Sequence, residues 1–205
     1  MSDVISPITN YADLTDPNAR LMWLRKYNRW ELGLTDEKVY IRRKAYAVLG
    51  YTKEALKDED SYIRASAYKQ FGFTEEALKD KEAYVRVAAY KALGWTQEAL
   101  NDDSYFVRGE AYKALGYSEE AFKDEDEDIR LGAYQSLGFT TEAFKDPCYG
   151  VRLEAYRALG FTEEAKKDEM YFISQEAYEI LGYDEEALQS EHESIRLGAE
   201  LWFSV

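Results

Sequence analysis

The sequence predicts an all-α protein, a solenoid of short stacked repeats, from two observations. The first is the phrase Ala-Tyr-Lys-Ala-Leu-Gly at residues 111–116, whose close copies recur every 22 residues. The second is that each copy follows two helix-start signals at fixed positions. A fixed period of this size indicates units that are too small to bury their own apolar faces and therefore stack on their neighbours.

The first start signal predicts a short helix, which we name helix A. Its column of helix N-cap residues reads Thr52, Thr74, Thr96, Ser118, Thr140, Thr162 and Asp184. A side-chain oxygen at such a position can accept a hydrogen bond from a free backbone N–H. Only five residues, such as 53–57, separate this signal from the next, so helix A should be about one turn long and partly 3₁₀.

The second signal predicts a longer helix, helix B, over roughly residues 59–71. Its cap column reads Asp36, Asp58, Asp80, Asp102, Asp124, Asp146, Asp168 and Ser190. Pro147 directly follows one cap, as a first helical residue tolerates. Ile63, Ala67 and Phe71 are spaced four residues apart on one face, which predicts that they are buried. Gly72 and its equivalents suit the left-handed residue that closes a helix.

The repeat register predicts the domain organisation. Residues 1–13 form an N-terminal arm, extended or loosely ordered, and residues 14–205 form a single solenoid domain. Within it, residues 14–35 are a degenerate N-terminal cap repeat, 36–189 are seven full repeats, and 190–205 are a C-terminal half repeat. Trp202 and Phe203 leave an apolar C-terminal end through which a homo-oligomer is possible.

The charge balance narrows the function classes. With 26 basic and 40 acidic residues, the net charge of −14 repels phosphate backbones and anionic lipid, so direct nucleic-acid or membrane binding is disfavoured. Cys148 is the only cysteine, which excludes an intrachain disulfide. The sequence has no signal-peptide pattern and no apolar stretch of about 20 residues, so a cytoplasmic protein is expected.

Residues 57–72, Lys-Asp-Glu-Asp-Ser-Tyr-Ile-Arg-Ala-Ser-Ala-Tyr-Lys-Gln-Phe-Gly, resemble the second helix of a HEAT-type repeat. The shared pattern is Asp, a short gap, Val/Ile-Arg, then Ala and Leu-Gly. The short helix A is similar instead to the leucine-rich repeat variant, in which a helix alternates with a 3₁₀ segment. The resemblance implies a right-handed α-solenoid. It implies no single activity, because HEAT-type arrays include scaffolds, lyase-like proteins acting on bilins and DNA glycosylases.

A recurring arginine, six residues after all but one of the cap aspartates, invites two interpretations. It could bind an anion, or each guanidinium could pair with an aspartate of its own or an adjacent repeat and tie the stack together. We favour the second, since a binding site would not need renewal in every repeat. The predicted structural ladder consists of Asp58, Arg64, Asp80, Arg86, Asp102, Arg108, Asp124, Arg130, Asp146 and Arg152.

No set of residues indicates catalysis, a metal site or a cofactor. The acidic run 124–128 resembles the start of a calcium loop, but Ile129 stands where the loop requires glycine and Gln135 where it requires glutamate. His192 is the only histidine and Cys148 is the only cysteine of the sequence. We therefore expect neither a His/Cys metal cluster nor a cysteine nucleophile activated by a histidine. We therefore expect a protein that is not an enzyme.

The variable positions of helix B predict a partner-binding face. The resemblance to HEAT-type repeats implies that this face lines the concave side, and its residues are basic toward the start of the chain and acidic and partly apolar toward the end. The candidate residues are Arg43, Lys44, Lys69, Lys91, Lys113, Leu131, Leu153, Arg157, Glu176 and Glu179. A break in the pattern at Lys166 and Ser174, near Met170, Tyr171 and Phe172, marks either a second contact site or sequence drift.

Three functional hypotheses follow. The favoured one is a non-enzymatic scaffold that binds a protein partner along the helix B face. The second is an acidic mimic of nucleic acid that inhibits a DNA- or RNA-binding protein, since carboxylates such as those of Glu54 and Asp58 recur in every repeat. The third, a lyase-like or glycosylase-like enzyme, is implied only by the HEAT-type resemblance.

Overall fold

A computed structural model of the chain describes residues 10–204, which contain α-helices and 3₁₀ segments but no strand. The α-helices are α1 (Pro17–Tyr27), α2 (Val39–Leu49), α3 (Ser61–Phe71), α4 (Ala83–Leu93), α5 (Tyr105–Leu115), α6 (Glu127–Leu137), α7 (Tyr149–Leu159), α8 (Tyr171–Leu181) and α9 (Glu193–Phe203). Each has 11 residues and begins 22 after the one before it. The predicted fold class, an all-α solenoid of 22-residue repeats, is confirmed.

The short helix A of the prediction is a 3₁₀ segment. These segments are Trp30–Thr35, Lys53–Lys57, Glu75–Lys79, Gln97–Asn101, Glu119–Lys123, Thr141–Lys145, Glu163–Lys167 and Glu185–Gln189. The expected side-chain caps are largely absent from the described segments. Thr52, for example, takes the N-cap position but accepts no cap hydrogen bond through its hydroxyl, whereas Asp184 accepts one from the Ala187 N–H at 3.1 Å.

The predicted start of helix B was wrong by two residues. Helix α3 begins at Ser61, and its N-cap is Asp60, whose carboxylate accepts from the Ile63 N–H at 3.1 Å. Asp58 instead ends the preceding 3₁₀ segment and accepts from the Asp60 N–H at 2.8 Å. Such an aspartate turn bonds the amide two residues on, not three. Pro147 accordingly precedes the N-cap of α7 and is not a helical residue.

The core lies between consecutive repeats. Tyr46 of α2 packs against Ala55, Ile63 and Ala67 of the following repeat, and its ring stacks on that of Tyr51 with centroids 5.4 Å apart. The same arrangement recurs around Tyr112, Tyr134, Tyr156 and Tyr178. This tyrosine therefore joins one repeat to the next.

The prediction that the Phe71 position is buried was wrong. Phe71 is 45% exposed, and its equivalents Leu49, Leu93, Leu115, Leu137, Leu159 and Leu181 are exposed too. Four residues advance an α-helix by about 40° more than a full turn, so the side chain eight residues after Ile63 has rotated by about 80° from the buried face. A row of half-exposed apolar side chains results.

In most of the described repeats, an arginine ties its own turn to the next repeat. Arg64 donates from Nε and Nη2 to the Asp80 carboxylate at 2.7 and 2.6 Å, and from Nη1 to the Asp58 carbonyl at 2.7 Å. Burial alone would raise the pKa of Asp80, but these hydrogen bonds hold that pKa below its ordinary value. Equivalent carboxylate pairs are Arg42–Asp58, Arg108–Asp124, Arg130–Asp146 and Arg152–Asp168.

Two further ladder residues make the same bonds to carbonyl groups. Arg86 donates from Nη1 to the Asp80 carbonyl at 2.8 Å, and the Asp102 carbonyl accepts from Arg108 Nη1 at 3.0 Å. Each of these bonds closes a turn within one repeat.

The described N-terminal residues are structured. Helix α1 and the segment Trp30–Thr35 keep the register of the predicted cap repeat, with Leu24 fully buried. Residues Tyr11–Asp13, predicted to belong to a loosely ordered arm, form a 3₁₀ turn whose Tyr11 hydroxyl donates to the Asp36 carboxylate. Burial, followed by this hydrogen bond, raises the pKa of Tyr11. Residues 1–9 of the arm lie outside the described residues.

The contacts of the chain divide it into two compact units. The first ends at Ala99 and the second begins at Leu100. The prediction of a single solenoid domain over 14–205 stays a prediction, and each unit is described by itself below.

Candidate interaction surface

In each unit, side chains of neighbouring α-helices meet on one surface, which we call the helix B face. It comprises the positions of Tyr62, Ala65, Ser66 and Lys69 in α3 and their equivalents at 22-residue spacing. Arg43 of α2 binds Asp60 and covers the Tyr62 ring in the first unit. In the second unit, Arg157 of α7 binds Glu176 of α8 at 3.0 Å. Such contacts make the face one continuous surface within each unit.

In the first unit this face is basic and aromatic. Tyr40, Tyr62 and Tyr84 are exposed, Tyr84 by 55%. The predicted partner-binding residues Arg43, Lys44, Lys69 and Lys91 are exposed as well. None of the helix B face positions of α2 to α4 is acidic. Arg43 is held in place by Asp60, whose carboxylate accepts from Nε at 2.9 Å and Nη2 at 2.7 Å.

In the second unit the face is mainly acidic, and its cations are paired. Lys113 lies 3.2 Å from Glu110, and Arg157 contacts Glu154 at 3.3 Å as well as Glu176. Glu179 accepts from the Gln175 side chain at 2.9 Å. The predicted contacts Leu131 and Leu153 are only partly exposed, because each packs against the cluster of buried residues in the following repeat.

A groove of about 220 Å³ opens on the helix B face of the second unit, between α5 and α6. Aromatic side chains, a glycine, a buried isoleucine and charged residues line it: Tyr105, Phe106, Gly109, Glu110, Lys113, Tyr117, Asp126, Asp128 and Ile129. Sequence reasoning missed this groove, since its signal is a single glycine, Gly109, in a position that varies from repeat to repeat.

The break in pattern near the end of the chain is largely explained by packing. Lys166, where other repeats carry leucine or phenylalanine, has a side chain only 7% exposed and lies 3.0 Å from Glu163 and 3.2 Å from Asp184. Met170 and Phe172 pack against the adjacent core cluster. Of the predicted aromatic group, Tyr171 is the exposed member, with its ring 5.1 Å from that of His192.

Within residues 10–204, no three His, Cys, Asp or Glu side chains are grouped so that they could hold a metal ion. None of the helices in that range is long and apolar enough to cross a membrane.

No family model matches the sequence, and no curated protein matches it at a significant level. The chain is a helical repeat protein by its structure.

Proposed function

We propose that this protein is a non-enzymatic scaffold of the HEAT type that binds a protein partner along its helix B face, the concave face of such arrays. The observation that carries the proposal is the repeated exposure of tyrosine and lysine in the first unit. Tyr62 and Tyr84, with Lys69 and Lys91, stand outside the buried clusters that hold the repeats together. Tyrosine and arginine, such as the exposed Tyr62 and Arg43, are residue types enriched at protein-binding surfaces, and charged residues such as the lysines belong to the polar rim of such surfaces.

The test is affinity capture of partners with matched charge reversals. The variant Lys44→Glu/Lys69→Glu/Lys91→Glu reverses the exposed lysines of the helix B face, and we expect it to lose the captured partner. The control, Lys53→Glu/Lys57→Glu/Lys79→Glu, reverses three exposed lysines of the 3₁₀ segments in the same unit and should retain it. Equal capture by both variants would place the partner on another surface.

A second candidate is the acidic mimic of nucleic acid, and one observation favours it. Every regular 3₁₀ segment carries an exposed glutamate at the same position: Glu54, Glu76, Glu98, Glu120, Glu142, Glu164 and Glu186. A row of carboxylates can compete with phosphates for a basic protein. Its test is competition between the protein and duplex DNA for a captured partner, with binding that weakens steeply as salt rises. Binding insensitive to salt contradicts this candidate.

A further inference from the structure

The groove between α5 and α6 lies where another repeat holds an arginine of its own. Gly109 occupies the position of Arg43, and Asp126 that of Asp60, each 66 residues further along the chain. Asp60 caps α3 through the Ile63 N–H at 3.1 Å and also binds the Arg43 guanidinium. Asp126 caps α6 in the same way through the Ile129 N–H at 3.2 Å. The aspartate is therefore present in both repeats, but the guanidinium in only one.

In two other repeats of the second unit, both of these positions hold apolar residues. Leu131 and Cys148 take these positions in one repeat and both pack against the buried cluster around Tyr134, and Leu153 and Met170 both pack against the cluster around Tyr156. Asp126 has no such complement from Gly109, and it forms no ion pair within residues 10–204. The carboxylate at the edge of this groove is thus left open to a cation.

Packing does not require the glycine. A Cβ atom added to Gly109 would lie 3.7 and 3.9 Å from the Ile129 side chain, which is ordinary van der Waals contact. Glycine inside a helix costs stability relative to alanine. The absence of a side chain at Gly109 instead leaves room for the groove, whose lining includes Phe106, Tyr117 and the buried Ile129.

The lining suits a cation on an apolar stem. Glu110 and Lys113 offset each other's charge, while Asp126 and Asp128 leave the groove negative. Aromatic rings attract a guanidinium placed over their faces, and Arg43 shows such a contact within this protein, 4.7 Å from the centre of the Tyr62 ring. A planar guanidinium also fits a carboxylate with two parallel hydrogen bonds, as a lysine ammonium does not.

We propose that the α5–α6 groove receives an arginine side chain of a protein partner, whose guanidinium binds Asp126 as that of Arg43 binds Asp60. The inference rests on the proposed scaffold function for the source of the arginine. The net charge of −14 favours approach of a basic partner over long range.

The groove is tested with a small probe. We would titrate the ¹⁵N-labelled full chain with N-acetyl-argininamide at millimolar concentrations and follow the amide signals of Gly109, Asp126 and Ile129. We expect saturable shifts at these signals, at least tenfold weaker binding of the lysine analogue, and none of the neutral citrulline analogue. Absence of shifts at α5 and α6, or equal binding of the citrulline or lysine analogue, would overturn the inference.

Matched variants keep the test independent of folding. Asp126→Asn retains a good N-cap residue for α6 and should weaken argininamide binding at least tenfold, whereas Gly109→Arg should fill the groove and abolish it. Arg43→Gly should create a second site, with new shifts at Asp60 and Ile63. Unchanged binding in Asp126→Asn contradicts the inference.

The two proposals fail separately. If argininamide leaves the groove signals unmoved while the Lys44/Lys69/Lys91 reversal abolishes partner capture, the groove inference falls and the scaffold function stands. If argininamide binds saturably but that reversal leaves partner capture unchanged, the proposed binding at the helix B face of the first unit is wrong and the groove inference stands.

Discussion

Two contacts between successive repeats of the second unit, which we call joints, differ in the charged residues that they contain. Between α6 and α7, Arg130 donates to the Asp146 carboxylate through two hydrogen bonds of 2.8 Å, and both side chains are more than nine-tenths buried. Between α8 and α9, the equivalent positions hold Ser174 and Ser190. The Ser174 hydroxyl donates to the Lys166 carbonyl at 2.6 Å instead.

The charge of this last joint has moved to another pair of positions. The Lys166 ammonium contacts the Asp184 carboxylate and lies 5.1 Å from the centre of the Tyr178 ring. Lys166 stands where other repeats have leucine or phenylalanine, and Asp184 stands where they have threonine or serine. Both members of the usual pair are replaced together, so the joint is not left with a buried charge that has no partner. A buried charge left without its partner costs several kcal/mol, so we expect these joints to tolerate exchange of a whole pair better than loss of one member.

The largest expected effect comes from breaking the buried pair. Asp146→Ala removes the carboxylate of Arg130 and should lower the free energy of unfolding by about 3–5 kcal/mol. Ser190→Ala at the equivalent position removes only a hydrogen bond of 3.2 Å from the His192 N–H and should cost about 1 kcal/mol or less. Urea titrations of the two variants measure both values. Similar losses would mean that the two joints do not differ in this way.

The second effect concerns the displaced pair. Asp184→Thr restores the residue type of other repeats but leaves the Lys166 ammonium with the exposed Glu163 alone, so we expect a loss of about 1–2 kcal/mol. Lys166→Leu/Asp184→Thr restores both residue types and should be neutral or stabilising. A double-mutant cycle in urea gives the coupling between the two positions, and additive losses would show that the residues do not act as a pair.

The smallest predicted effect is a difference between the two joints in how their contributions to stability depend on pH. Burial alone would raise the pKa of Asp146, but Arg130 holds it below the ordinary value of 3.8, so its contribution to stability is present above that pH and is lost as the pH falls through the folded value. Burial alone would lower the pKa of Lys166, but Glu163 and Asp184 raise it above 10.5. Its contribution is present below that pH and is lost as the pH rises further.

Unfolding followed in urea from pH 3 to 11 tests this contrast. We expect Asp146→Asn to flatten the acid limb of the stability profile and Lys166→Met to flatten the alkaline limb. Each limb should flatten because the substituted side chain no longer takes up or releases a proton on unfolding. If either variant changed the opposite limb, the assignment of charges to the joints would be wrong.

Features that recur in every repeat could be predicted from the sequence. The buried Ile63 and Ala67 positions and the tyrosine that joins repeats follow from spacing and residue type alone. The start of helix B was misplaced because aspartate serves equally well as a turn residue and as a cap, and only the geometry at Asp58 and Asp60 distinguishes these roles. Phe71 is exposed because successive steps of four residues rotate the side chain progressively away from the buried face of the helix. A pattern of apolar residues at i, i+4 and i+8 does not show how far this rotation has gone.

The candidate surface was harder to predict, for a different physical reason. Lys69 and Lys91 could be predicted as exposed surface residues because the residue type at their position in the repeat varies along the chain, whereas the types at the buried positions do not. Leu131 and Leu153 are also variable, but whether such a side chain packs inward or faces solvent depends on its neighbour in the next repeat. The groove beside Gly109 depends likewise on the pairing of α5 with α6, which no single residue in the sequence reports.

The ion pairs between repeats also bear on how fast the chain folds. Each pair of the arginine–aspartate ladder joins residues 16 positions apart, such as Arg64 with Asp80 and Arg108 with Asp124. So short a separation keeps contacts between repeats local in sequence, and proteins rich in local contacts fold faster than those dominated by distant pairings. During synthesis, an arginine meets its aspartate as soon as the next 16 residues have left the ribosome. Growth of the array from its N-terminus can therefore keep pace with translation.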